Sequence, residues 1–291
     1  MDGFRLGKVF NVVDLIVISY LFDTLILSFF LPEPGAWVHP VVFRLLTFIA
    51  IGFVLFHDNK YPSGISQWIR YFYPLLLVSY IYGETAQLNH IFFHESLDGY
   101  LVNLEESLFG FHPSLSFDKA MPQIWFNELM NFGYFAYYLF TFGIALAAYY
   151  LRKKEAVKIM FIILFSFLTY YIFFIIFPTE GPQFYFLNGE LPPPQGVFGH
   201  LVHWAQEAGE APTGAFPSSH VGMMVVFSWI SYKYFRKLLP IVVIFTIIIT
   251  FATVYIKAHY AIDIIAGYIS APILIYLGKR FYKMSLTILE E

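Results

Sequence analysis

The chain has 291 residues, 58% apolar and only 13% charged, with 35 Phe and 22 Tyr. That composition excludes intrinsic disorder and is that of a membrane protein, since ordinary soluble domains carry about a quarter charged residues. A net charge of −3 offers no basic field to nucleic acid, and with no cysteine there is no disulfide, thiolate metal site or thiol nucleophile.

A bilayer-spanning helix needs about 20 mostly apolar residues. Eight stretches are candidates, the second and sixth of them short: 12–31, 41–56, 69–89, 133–151, 157–177, 219–235, 239–256 and 261–278. They predict an all-α integral membrane protein of about eight transmembrane helices. The first stretch carries Asp14 and Asp23 and no small-residue cleavage site follows it, so it reads as a retained span. Arg44, inside the second, is expected to pair with Asp23 in the outer half of the adjacent span.

Basic residues mark cytoplasmic loops. One side of the chain receives Arg5, Lys8, Lys60, Arg70, Arg152, Lys153, Lys154, Lys158, Lys233, Arg236, Lys237, Lys279, Arg280 and Lys283, which is 14 of the 17. Both termini are therefore expected in the cytoplasm. The exterior then holds 32–40, 90–132, 178–218 and the turn 257–260. Segment 90–132 spaces Leu97, Tyr100, Leu101, Leu104 and Leu108 as a helix lying in the membrane interface, either packing beneath the exterior loops or walling a groove for lipid access. His90 and His94 within it have the spacing of metal ligands but lack a further ligand, so they read as structural. Segment 178–218, rich in Pro and Gly, reads as an irregular loop, and long loops of that kind tend to be functional.

Three motifs fall on that exterior face: Phe177-Pro178-Thr179-Glu180-Gly181-Pro182, Phe216-Pro217-Ser218-Ser219-His220, and Lys257-Ala258-His259-Tyr260-Ala261-Ile262-Asp263. His259 and Asp263, four apart at a helix start, share one face, so the carboxylate can orient the imidazole and leave its other nitrogen free as nucleophile or base. His220 can protonate a leaving oxygen. Pro217 suits a first helical turn, where the following amides and the hydroxyls of Ser218 and Ser219 can bind an anion, and Lys257 adds a fixed cation. Read from the residues alone, this is a two-histidine, one-carboxylate site suited to phosphoryl transfer.

Pro-Ser-Ser-His and Lys-Ala-His-Tyr-Ala-Ile-Asp-Ile-Ile-Ala-Gly resemble the second and third motifs of the type 2 phosphatidic acid phosphatase superfamily. Lys257, Pro-Thr-Glu-Gly-Pro at 178–182 and Ser-Leu-Phe-Gly-Phe-His-Pro-Ser at 107–114 are most similar to its branch containing inositol phosphorylceramide synthase. The resemblance covers roughly 80–278. It implies a six-helix phosphatase-type core within 69–291, carrying the interfacial segment and the active-site loop, with two additional helices in 1–68. It further implies His259 as a nucleophile forming a phosphohistidine, Asp263 as its orienting group, His220 as general acid, and neither metal nor cofactor. The family's usual Lys and Arg of the first motif are missing, with Gly181, Pro182 and Gln183 in that region, and Ala252 and Thr253 replace the Ser-Arg that usually opens the third. Lys257, helped by Gln183 and the second motif, is then expected to neutralise the phosphate.

The leading expectation is hydrolysis of a membrane lipid phosphate ester at the extracytoplasmic face. An alternative is transfer of a phosphate-containing headgroup, such as inositol phosphate, onto a lipid alcohol such as ceramide. A third is a lipid or ion transporter that shares the bundle. Nucleic acid is not an expected partner.

Overall fold

The computed structural model describes Gly7 and residues 9–290, which form twelve α-helices. In order these are α1 (Val12–Ser28), α2 (Val38–Lys60), α3 (Gly64–Leu88), α4 (Asp98–Phe109), α5 (Pro113–Ala120), α6 (Ile124–Leu151), α7 (Ala156–Ile176), α8 (Pro182–Tyr185), α9 (Gly196–Gly209), α10 (Ser219–Tyr234), α11 (Leu239–Tyr255) and α12 (Ala261–Glu290). The eight apolar stretches correspond to α1, α2, α3, α6, α7, α10, α11 and α12. By length and composition, α2, α6, α7 and α12 can each cross a membrane, and α11 is a shorter apolar helix. Arg5 and Lys8 lie outside the described residues.

Local chemistry sets several helix starts. Asn11 accepts from the amides of Val13 and Asp14 while Asp14 reaches back to the Asn11 amide, a reciprocal cap that opens α1. Ser63 and Ser66 open α3 in the same way. Helix α7 is apolar on every face, with a mean hydropathy of 2.6 in its most apolar window, so it can be satisfied only at the centre. It packs against α1, α3, α6, α10 and α12.

The alternating helix directions sort the chain ends of the bundle. At one end Arg70 binds Asp14 at 2.7 Å and Asp58 at 3.1 Å, joining the starts of α1 and α3 to the end of α2, while Arg152 Nε donates to the Tyr234 carbonyl at 2.9 Å. The other end carries α4, α5, α8, α9 and all three motifs. There α12 runs so close to α10 that a Cβ on Gly267 would lie 2.7 Å from the Ser218 carbonyl oxygen, so only glycine lets the second and third motifs meet.

Four features differ from the sequence expectation. Arg44 is fully buried and binds Glu84 at 3.3 Å, Thr24 at 3.1 Å and the Pro40 carbonyl at 3.1 Å, while Asp23 is exposed. One turn of α1 decides this, because Thr24 and not Asp23 faces α2 and α3. Segment 90–132 contains two short helices, α4 and α5, where one was expected, broken where Gly110 takes a left-handed φ of 75°. Segment 178–218 is not irregular throughout but holds α8 and the 14-residue α9. Helix α6 starts at Ile124, ahead of its apolar stretch, and Glu128 on its early turns accepts from the amides of Val197, Phe198 and Gly199 that open α9.

Candidate active site

The first motif is the clasp of the site. Thr179 is buried, and its hydroxyl accepts from the Phe216 amide at 2.9 Å while its carbonyl accepts from the Ala215 amide at 3.3 Å, holding the second motif. The Gln183 amide donates to the Lys257 carbonyl at 3.0 Å, holding the third. The second and third are then tied directly, Ser218 N–H donating to the Asp263 carbonyl at 3.0 Å.

This clasp depends on a carboxylate that motif reading missed. Asp98, fully buried at the start of α4, accepts from the amides of Glu180 (2.7 Å) and Gly181 (2.9 Å) and from the Tyr260 hydroxyl (2.8 Å). Glu105, two turns further along the same face of α4, accepts from the Ala261 amide at 2.7 Å and so caps α12. Where the first motif lacks basic side chains, its amides face an anion of the protein itself.

His259 and His220 meet at the centre of the clasp. His220 Nδ1 lies 3.1 Å from His259 Nε2, and His259 Nδ1 lies 2.7 Å from the Ala215 carbonyl and 3.4 Å from Asp263 Oδ2. Asp263 is thus beside the imidazole, but the carbonyl is its nearer acceptor, and the carboxylate also reaches back to the Tyr260 amide at 2.7 Å to cap its own helix. Burial pushes the His259 imidazole down to about 4, partly offset by the Ala215 hydrogen bond and the nearby Glu210 charge. A carbonyl only accepts, so neutral His259 carries its proton on Nδ1 and presents the Nε2 lone pair. His220 therefore donates Nδ1–H to that lone pair, and its own Nε2 is left as an acceptor. The rings of Tyr134 and Tyr137 pack against His220 at 4.8 Å and 4.5 Å.

The other expected site residues are all at this end, with specific occupations. Lys257 adopts φ 67°, a left-handed conformation that costs a non-glycine residue on the order of 1 kcal/mol, and its Nζ binds Asp118 with no bond to either histidine among the described residues. It lines a polar cavity of about 220 Å³ with Asp118, Asn127, His203 and Gln206. Ser218 is buried and caps α10, accepting from the Val221 amide at 3.3 Å. Ser219 lines a second, largely aromatic cavity of about 190 Å³ together with His220. Gln183 donates to Glu210, which also accepts from Gln206 at 3.1 Å and from the Tyr134 hydroxyl at 2.6 Å. His220 lines the aromatic cavity, whereas neither histidine lines the polar one on the Lys257 side.

Residues 99–277 match the family model described as the PAP2 superfamily. The chain belongs to the PAP2 superfamily. No curated protein and no solved structure gives a significant match. Membership makes this a membrane protein of phosphatase type, and the match begins at α4, so α1, α2 and α3 precede it. For a PAP2 protein the departures noted in the sequence now have a structural counterpart: amides of the first motif are spent on Asp98, and the lysine of the third is held by Asp118.

Proposed function

We propose that the chain is an integral-membrane enzyme that cleaves a lipid phosphate ester through a phosphohistidine at His259. The observation that carries this reading is the buried pair of imidazoles, 3.1 Å apart, with the carboxylate of Asp263 at the far nitrogen of the first. His259 Nε2 attacks phosphorus, and the ring is held in the reactive tautomer by the Ala215 carbonyl and Asp263. His220, which takes up a proton from solvent at Nε2 as the phosphate charge parts the rings, gives its Nδ1–H to the leaving oxygen and then, as base, takes one from the attacking water. Phosphate occupies the place now held by the hydrogen bond between the rings. Lys257, Gln183 and the amides and hydroxyls of Ser218 and Ser219 neutralise it, Lys257 exchanging Asp118 for the substrate.

In this reading eight helices span the bilayer, six of them forming the catalytic core, with both termini in the cytoplasm and the site at the exterior face, opposite the basic loops. Resemblance of Lys257 and of 178–182 and 107–114 to the inositol phosphorylceramide synthase branch supports a second acceptor, a lipid alcohol in place of water, and the aromatic cavity beside His220 favours it as well.

The test is turnover of lipid phosphate monoesters and diesters by the purified protein in detergent, following both free phosphate and new lipid species. His259→Gln, His220→Gln and Asp263→Asn are expected to lower turnover by about 10²–10⁴-fold. Transport across vesicles that survives His259→Gln, without ester cleavage, would overturn the enzymatic reading.

A further inference from the structure

The Ala215 carbonyl that accepts from His259 Nδ1 ends a chain of contacts that begins on α3. Tyr82 and Thr85 near the end of α3 and Asn89, which caps it, are three and four residues apart and so share one helical face. That face meets Thr213, two residues before Ala215. The Tyr82 hydroxyl donates to the Thr213 carbonyl at 3.1 Å, and the Thr213 hydroxyl lies 3.3 Å from both the Thr85 hydroxyl and the Asn89 side-chain nitrogen. Thr85, Asn89 and Thr213 are all buried.

The direction of each bond follows from what its groups can do. Thr85 gives its proton to the Tyr82 carbonyl at 2.7 Å, so the Thr213 hydroxyl donates to Thr85 and accepts from Asn89. Residue 213 must therefore both donate and accept, which serine can also do and valine cannot. Gly214 then turns the chain with a φ of 77°, and a Cβ there would lie 2.9 Å from the Phe174 ring and 3.2 Å from the Tyr82 ring. Past the turn, Thr179 accepts from the amides of Ala215 and Phe216. The Ala215 carbonyl is thus held from both sides, by α3 before it and by Thr179 after it.

For His259 the carbonyl decides between tautomers. A proton on Nδ1 is bonded at 2.7 Å and leaves the Nε2 lone pair for attack. The other tautomer would set the Nδ1 lone pair against the carbonyl oxygen and place the proton on Nε2, where it would point at His220 and block attack. Asp263 Oδ2, at 3.4 Å, is the farther acceptor.

We infer that Thr213, clamped by Tyr82, Thr85 and Asn89, is a positioning residue for His259: α3 aims the Ala215 carbonyl and so keeps the imidazole proton on Nδ1. This rests on the proposed attack by His259. It gives a part in the reaction to a helix that precedes the matched residues 99–277.

The experiment uses the full chain in detergent with nitrogen-15 histidine, whose ring-nitrogen resonances separate protonated from bare nitrogens; the His259 pair is the one lost in His259→Gln. Tyr82→Phe combined with Thr213→Val removes all three bonds between α3 and residue 213 while keeping ring and shape. In that variant the His259 Nδ1–H signal is expected to fall by about half or more as an Nε2–H signal appears, and kcat to fall by about tenfold with KM within about twofold of native. Thr213→Ser, which keeps donor and acceptor, should stay within about twofold of native in kcat, with the proton on Nδ1. A proton still on Nδ1 in a combined variant that elutes as the native protein does, or a loss in Thr213→Ser as large as in Thr213→Val, would overturn the inference. Should the combined variant not fold, Thr213→Val and Tyr82→Phe singly carry the same test, and native proton placement in both overturns it. Cleavage that survives His259→Gln instead sinks the phosphohistidine reading, and the nitrogen resonances still report whether α3 sets the tautomer.

Discussion

At the scale of single residues, the buried carboxylate of Asp98 is the group on which the geometry of the histidines turns. Asp98→Asn removes two charge-assisted bonds to the first-motif amides, and is expected to cost about 1.5–3 kcal/mol in thermal unfolding and to lower turnover by about tenfold or more. Tyr260→Phe, which deletes one bond to the same carboxylate, should cost about 1 kcal/mol in the same measurement. His259 gives a pH signature. Its imidazole falls from an ordinary 6.5 to about 4 on burial, so between those values the unfolded chain binds a proton that the folded chain refuses. Stability therefore declines as pH falls through this window, by about 3 kcal/mol once pH is below 4, and His259→Gln removes that part of the pH dependence in calorimetry. His220, His259 and Asp263 could be singled out in the sequence because the chemistry proposed for them limits the residue types at those spacings, and the structure brings the three together. Asp98, Glu105 and Glu210 could not be, because nothing in a sequence tells an exposed carboxylate of an amphipathic helix from one turned onto backbone amides of a distant loop. The sequence signal available was only that Asp98 opens α4.

Among the elements, the eight long helices could be read from apolar length alone, whereas the short ones depended on partners. Helix α9 has glycines at 196, 199 and 209 and follows three prolines, and its start is stabilised by Glu128 on α6, a contact that no local pattern announces. The same limit explains Arg44. Both Asp23 and Glu84 were within reach along the sequence, and the choice between them is made by the rotation of α1, which turns Thr24 inward. The resulting pair joins α2 to α3 with the Nη2 of Arg44 and the Oε2 of Glu84 buried and unpartnered among the described residues. Arg44→Met is expected to cost about 3–5 kcal/mol by stranding the carboxylate, and Arg44→Met with Glu84→Leu to recover most of it, as read by thermal unfolding in detergent.

For the whole molecule, the separation of ends is the property that the charge count anticipated. Arg70 and Arg152 sit at the end opposite the motifs, in agreement with the sorting of basic residues along the chain. The lack of native cysteine makes the orientation directly measurable. In intact cells an impermeant maleimide should label Lys119→Cys, at the motif end, and label Lys237→Cys only after permeabilisation; both positions are exposed. The hydrogen bond between the two imidazoles carries one more consequence for the molecule at rest. The proposed nucleophile has its lone pair covered by its own catalytic partner, 3.1 Å away. An idle copy in the bilayer therefore offers no bare imidazole at His259 to stray electrophiles such as oxidised lipids, and the nitrogen is uncovered when a phosphate group parts the rings.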